Sequence, residues 1–158
     1  MDDGGPGPAI RTAVAADLPA LRRVYRAASL SNAGDAPILL ARPEFLVFTG
    51  HGIAAGRTRV AVAGAKSEVV GFATLVAGED GPELEDLFVD PGWRRRGIAR
   101  RLVRDIAGTA RRGGHRYLWV TGNPHALDFY QAVGFVETGR VATELGAGLR
   151  MCLDLNRA

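Results

Sequence analysis

The sequence predicts an α/β domain built on a mixed, mostly antiparallel sheet of about seven strands with helices on both faces. Apolar runs rich in strand formers recur at 57–63, 69–77, 83–89 and 117–121, each followed by a turn containing Gly, Pro, Asn or Ser. Two stretches instead carry apolar residues at helical spacing: Leu18, Leu21, Val24 and Tyr25, then Ile98, Leu102, Val103 and Ile106. A chain of 158 residues with 47% hydrophobic content suits one globular core, and no internal repeat or second domain is visible.

Residues 1–8 are rich in Gly and Pro and read as a disordered tail, leaving 9–158 as the domain. A first strand is expected over 10–14. Asp17 then stands as N-cap of a helix that tolerates Pro19 in its first turn, turns Arg22, Arg23 and Arg26 outward, and fades near Ser29. In 31–50 the breakers Gly34, Pro37 and Pro43 leave one short helix over 43–49, where Phe45 to Phe48 supply apolar surface. The runs 57–63 and 69–77 form a hairpin around Ala65-Lys66-Ser67, and a turn over 78–82 adds the strand ending at Val89. The next helix runs from Gly97 to the Gly113-Gly114 pair. Strand 117–121 is broken by Gly122-Asn123-Pro124, a helix follows over 125–133, and strands 135–138 and 148–155 pair across the 144–147 turn.

The most informative stretch is 83–102, where a strand runs through Pro91-Gly92-Trp93-Arg94-Arg95-Arg96-Gly97 into an amphipathic helix. The first amides of a helix have no intrahelical partner, its dipole adds partial positive charge, and glycine lets a ligand approach the backbone. Three arginines at this end, where helix electrostatics alone favour acids, point to a bound anion. The spacing fits neither the dinucleotide fingerprint nor a Walker A loop. Arg94-Arg95-Arg96-Gly97-Ile98-Ala99, following Leu84-Glu85-Asp86-Leu87-Phe88-Val89-Asp90-Pro91, resembles the acetyl-CoA-binding motif of the GNAT superfamily of N-acetyltransferases. Ala99 stands where many members carry a second glycine.

A second block, Asn123-Pro124-His125 through Phe129-Tyr130 to Gly134-Phe135, also resembles the GNAT pattern, and the likeness extends over about residues 10–155. It implies a GNAT-like sheet splayed between the fourth and fifth strands, which part after Val89 and Val120. Backbone groups of Leu87, Phe88 and Val89 would then pair with the pantetheine arm of acetyl-CoA as a missing strand does. Arg94, Arg95, Arg96, Gly97, Ile98 and Ala99 would hold the pyrophosphate. Asn123 belongs to the cofactor-binding set and serves equally as a turn cap. The segment between the first helix and second strand would help form the acceptor pocket.

The resemblance further implies acetyl transfer to an amine. An alkylammonium with a pKa of about 10 must lose a proton before it attacks a thioester. Glu85 is the candidate base, directly or through water. Glu83, on the same strand face, is its rival, and Asp86 points the other way unless a bulge intervenes. The acids at Glu79, Asp80, Glu83, Glu85 and Asp86 also read as a solvated hairpin, or as electrostatic attraction for a cationic acceptor. Amides near Leu87 and Phe88 would stabilise the oxyanion, and Tyr130 would donate to the departing thiolate. The single Cys152 lies outside both blocks, which argues against an acyl-cysteine route.

The partners expected are acetyl-CoA and an amine acceptor, small-molecule or protein, with the former favoured. A non-catalytic acyl-CoA-binding module is the alternative. The charge of +3 and pI near 9.6 raise nucleic acid as a partner, but the arginines concentrate in the phosphate turn and no aromatic strand platform accompanies them. His51, His115 and His125 lack metal-ligand spacing, so no metal is expected. No apolar run approaches the roughly 20 residues of a membrane helix, and the acidic start is unlike a secretory signal, so a cytoplasmic protein is expected. A homodimer is expected because the final strands leave an exposed sheet edge.

Overall fold

The computed structural model describes residues 7–157, so most of the tail expected over 1–8 lies outside the described residues. Strands β1 (Ala9–Thr12), β2 (Thr58–Ala63), β3 (Glu68–Ala77), β4 (Pro82–Val89), β5 (Tyr117–Gly122), β6 (Val136–Thr143) and β7 (Gly146–Asp154) form one sheet in the order β1-β2-β3-β4-β5-β7-β6. Every neighbouring pair is antiparallel except β4 and β5. Helix α1 (Leu18–Leu30) buries Leu21 and Val24 on one face, where Val60, Phe72 and Phe48 join them. Helix α4 (Ile98–Arg112) covers the other face with Ile98, Leu102, Val103 and Ile106, against Val70, Ala73, Leu84 and Leu118. The expected fold class therefore holds, helices on both faces included.

The local corrections have physical causes. The first strand stops at Thr12 rather than 14, because the carboxylate of Asp17 accepts from the Val14 amide and turns the chain. Asp17 does not cap α1: it is buried and takes both ends of the Arg11 guanidinium at 2.8 and 2.9 Å, which holds its pKa below the carboxylate norm. Pro37 does not break a helix but opens one, α2 (Ala36–Ala41), where a missing amide costs nothing. The helix expected over 43–49 is a 3-10 turn, Pro43–Leu46, that gives way to extended backbone at Val47. A further short helix, α3 (His51–Ala54), precedes β2. The helix expected over 125–133 begins as the 3-10 turn Pro124–Ala126 and continues as α5 (Leu127–Ala132). β6 runs to Thr143, well past 138, because a register shift between Glu137 and Gly139 absorbs the glycine that would otherwise end it.

Candidate functional site

β4 and β5 pair through only two registers, Glu83 with Trp119 and Leu84 with Val120. The strands therefore part five residues before Val89, earlier than the sequence reading had it. β3 still pairs with β4 as far as Val89, and the Asp90 amide reaches the Val70 carbonyl at 2.8 Å. By the alternation of an antiparallel ladder, the amide of Phe88 also points to β3, whereas those of Leu87 and Val89 point into the opening. Of the two expected oxyanion donors, Leu87 thus faces the gap and Phe88 does not. The Phe88 side chain joins an aromatic wall, 4.8 Å from the Tyr25 ring and 5.5 Å from Phe72, centroid to centroid.

At the exit of β4 a 3-10 turn, Pro91–Trp93, leads to Arg94, Arg95, Arg96 and Gly97, all exposed. Arg95 and Gly97 both adopt positive φ, 63° and 75°. Gly97 is the N-cap of α4 and carries no side-chain cap; its carbonyl receives the Arg101 amide, so those of Ile98, Ala99 and Arg100 are left for a ligand. The Ile98 side chain is buried beneath Gly71, so it anchors the turn and offers only its backbone. Arg96 stacks 4.6 Å over Trp93. Uncapped amides, three arginines and an adjoining strand gap form a donor set that fits an extended, peptide-like ligand carrying phosphates.

The acidic strand differs from its simple alternation. A register shift between Thr74 and Leu75 leaves Glu85 without a partner on β3 while Asp86 sits opposite Thr74. Through their ladder partners Val76 and Thr74, the bulge puts Glu83 and Asp86 on one face, that of Phe72 and Phe88, so Asp86 does not point away from Glu83. Glu85 lies 3.7 Å from His51. Glu83 is occupied: Arg150 donates to it at 2.9 Å and to Asp80 at 2.7 Å while stacking over Trp119. Burial pushes Asp86 up to about 6, partly offset by a hydrogen bond from Thr74 and by His51, with Glu85 adding to the rise.

A stability prediction follows from that shift. The folded pKa of about 6 exceeds the usual 3.8, so the folded state holds a proton that the unfolded chain has lost, and stability falls as pH rises from about 4 to about 6. Asp86→Asn removes this penalty. It is expected to stabilise the protein at pH 7 by up to about 3 kcal/mol and to give no such gain at about pH 4. Thermal unfolding at both pH values checks it; an equal gain at both would show that the carboxylate is not the cause.

Beside the strand gap lies a cleft of about 790 Å³ walled by Tyr25, Phe45, Phe88 and Leu39, with Asp35, Glu44 and Glu144 contributing carboxylates. The segment 31–50, where sequence reasoning is weakest, builds one side of it. Tyr25 donates to the Phe45 carbonyl at 2.6 Å and Arg22 to that of Phe48 at 2.9 Å, so α1 fixes this segment from beneath. Two contacts tie its start across the gap: Arg94 donates to the Ser31 hydroxyl, and the Asn123 amide donates to Asp35 at 2.9 Å. The Asn123 carbonyl oxygen also accepts from the His125 amide, so the side chain both caps a turn and latches the segment.

Tyr130 belongs to the buried core on the α4 side and does not line the cleft. Its ring lies edge-on to Phe129 and Phe135 at 5.2 and 5.3 Å, and burial pushes its pKa up to about 12. Gly122 makes room for it, since a Cβ there would stand 2.9 Å from the ring. Cys152 lies half-buried on β7 opposite Trp119, and burial raises its thiol further from thiolate. His51 and Arg150 were missed as neighbours of the acidic strand because neither has a local sequence signal. Among the described residues no group of three His, Cys, Asp or Glu side chains is placed to hold a metal, and no helix is long and apolar enough to cross a membrane.

The profile of a family described as Acetyltransferase (GNAT) domain matches residues 49–151. Over 58 residues the chain is 47% identical to N-alpha-acetyltransferase RimI of Mycobacterium tuberculosis, a match covering 36% of this chain and 36% of that protein. Over 88 residues it is 41% identical to streptothricin acetyltransferase of Streptomyces lavendulae, covering 52% of this chain and 46% of that protein. The chain thus spans less than half the length of each of these relatives. The solved structure of PaiA N-acetyltransferase from Thermoplasma acidophilum in complex with coenzyme A matches with a TM-score of 0.72 at 18% identity, over 94% of this chain and 99% of that one, a likeness of fold.

Proposed function

The chain belongs to the GNAT acetyltransferase family, and on that premise we propose that it transfers the acetyl group of acetyl-CoA to a primary amine by direct attack. The observation that carries this reading is the early parting of β4 from β5 beside the uncapped start of α4. One extended ligand can pair with the free groups of Leu87 and Val89 and set its pyrophosphate against Arg94, Arg95, Arg96 and the amides that follow Gly97. A small-molecule amine is favoured over a protein amine. The cleft has the volume of a small-ligand site, and its carboxylates Asp35 and Glu144 attract a cation, Glu44 being paired with Arg42 at 3.2 Å.

Acetyl-CoA, when bound, supplies the thioester whose carbonyl carbon the amine attacks and whose C–S bond then breaks. A carboxylate on the β4 bulge takes the proton of the incoming ammonium, directly or through water. Glu85 is the more exposed of the two there. Asp86, held near 6, is better matched to neutral pH. Glu83 is the weaker candidate because Arg150 already neutralises it. The Leu87 amide donates to the carbonyl oxygen as charge develops on it, and Tyr130 donates to the departing sulfur.

The test is release of free thiol from acetyl-CoA with a panel of mono- and polyamines and basic peptides. Turnover with a small amine supports the reading. Acetyl-CoA binding without thiol release from any amine would leave a non-catalytic acyl-CoA-binding module. With a working acceptor, the acid limb of kcat/KM separates the two bases. Asp86→Asn is expected to remove a limb near pH 6, while Glu85→Gln leaves it; the reverse outcome assigns the base to Glu85.

A further inference from the structure

We propose that Thr58 and Thr74 are positioning residues for the proton transfer: side by side, they form a chain of two hydroxyl groups that holds and orients the carboxylate of Asp86. The inference rests on the reading that a carboxylate of the β4 bulge takes the proton of the incoming ammonium.

The three residues form one row across three strands. Thr58 of β2 pairs with Thr74 of β3, and Thr74 with Asp86 of β4, so their side chains share a face. The bulge selects which acid joins the row. A ladder continued from Leu75 and Leu84 without the extra residue would set Glu85 opposite Thr74. The two hydroxyl oxygens lie 3.0 Å apart and are sealed from solvent, with Thr58 at 0% and Thr74 at 1% exposure. Gly52 of α3 closes over them, since a Cβ there would stand 2.8 Å from the Thr58 hydroxyl and 2.9 Å from the Thr74 methyl.

Each hydroxyl has one proton to give. Thr74 gives its own to Asp86, so its oxygen accepts from Thr58, and the order runs from Thr58 through Thr74 to the carboxylate. A donor aimed at the ionised form favours that form, and the second hydroxyl polarises the first. The chain therefore limits the rise that burial imposes on Asp86 and fixes its carboxylate in one orientation. The titratable groups that face Asp86 are Tyr25 from α1, His51 from α3 and Glu85 from its own strand, and a change at the threonines leaves all three in place.

Carbon-13 NMR titration of the Asp86 carboxyl, assigned with Asp86→Asn, reads the chain without any acceptor. Thr74→Val keeps the shape and removes the direct donor, so the midpoint is expected to rise from about 6 to about 7 or above. Thr74→Ser keeps the hydroxyl and is expected to stay near wild type. Thr58→Val is expected to move the midpoint the same way by roughly a few tenths of a pH unit. Added to Thr74→Val it is expected to change nothing more, because it acts through Thr74. With a working acceptor, the acid limb of kcat/KM is expected to follow the midpoint. Thr74→Val then loses about fivefold at about pH 6 and little at about pH 8, whereas a merely structural role would lower the rate evenly. Circular dichroism of each variant checks that the fold is kept. A midpoint unmoved in Thr74→Val overturns the chain. A midpoint that moves beneath an acid limb that stays overturns the positioning role and leaves acetyl transfer standing. A wild type that acetylates no amine fails the transfer reading itself and takes the positioning role with it.

Discussion

Gly97→Glu is expected to weaken acetyl-CoA binding by about a thousandfold or more while leaving the protein folded. At φ 75° the residue turns the chain so that the first amides of α4 stay open, and a Cβ built there meets no heavy atom within 4 Å. Glutamate therefore fits sterically, at a conformational cost of about 1–2 kcal/mol. Its charge is the larger effect. Two like charges about 4 Å apart near a protein surface repel by about 4 kcal/mol, a factor near a thousand. Gly97→Ala carries the strain without the charge, so a loss of about tenfold or less is expected there. Calorimetry with acetyl-CoA reads both variants. Wild-type affinity in Gly97→Glu would place the phosphates elsewhere and remove the main support for the cofactor reading.

That turn was legible because everything it needs is consecutive: a strand that must stop at Pro91, three arginines, a glycine and then helical spacing. The features that shape the chemistry are not local. The bulge at Glu85 has no glycine or proline to announce it, because it arises from the fit of β4 against β3. Yet it decides that Glu83 shares a face with Asp86 and Phe88. The latch joins Arg94 to Ser31 and Asn123 to Asp35, pairs 63 and 88 residues apart, which no periodicity can reveal. Glu83 and Glu85 look equivalent in sequence, and only Arg150, brought over by β7, separates them.

The same non-locality governs Tyr130, whose replacement carries the second large effect. Tyr130→Phe is expected to lower kcat by roughly a hundredfold, the lower end for loss of a positioned acid, with KM for acetyl-CoA nearly unchanged. The phenol pKa near 12 keeps the proton in place throughout the assay range, so the mutation should scale the pH profile without moving its limbs. The contacts with Phe129 and Phe135 survive the change, so stability should shift by only about 1 kcal/mol. Gly122→Ala tests position rather than chemistry. Its Cβ would stand 2.9 Å from the Tyr130 ring and 2.7 Å from the Met151 methyl, so one of them must move. If orientation of the hydroxyl matters, that variant loses kcat with Tyr130 still present, and the double variant is no slower than Tyr130→Phe alone. Wild-type kcat in Tyr130→Phe, with the chemical step limiting, would mean that the thiolate leaves without help from this residue. Tyr130 would then be a core aromatic whose burial alone accounts for its surroundings.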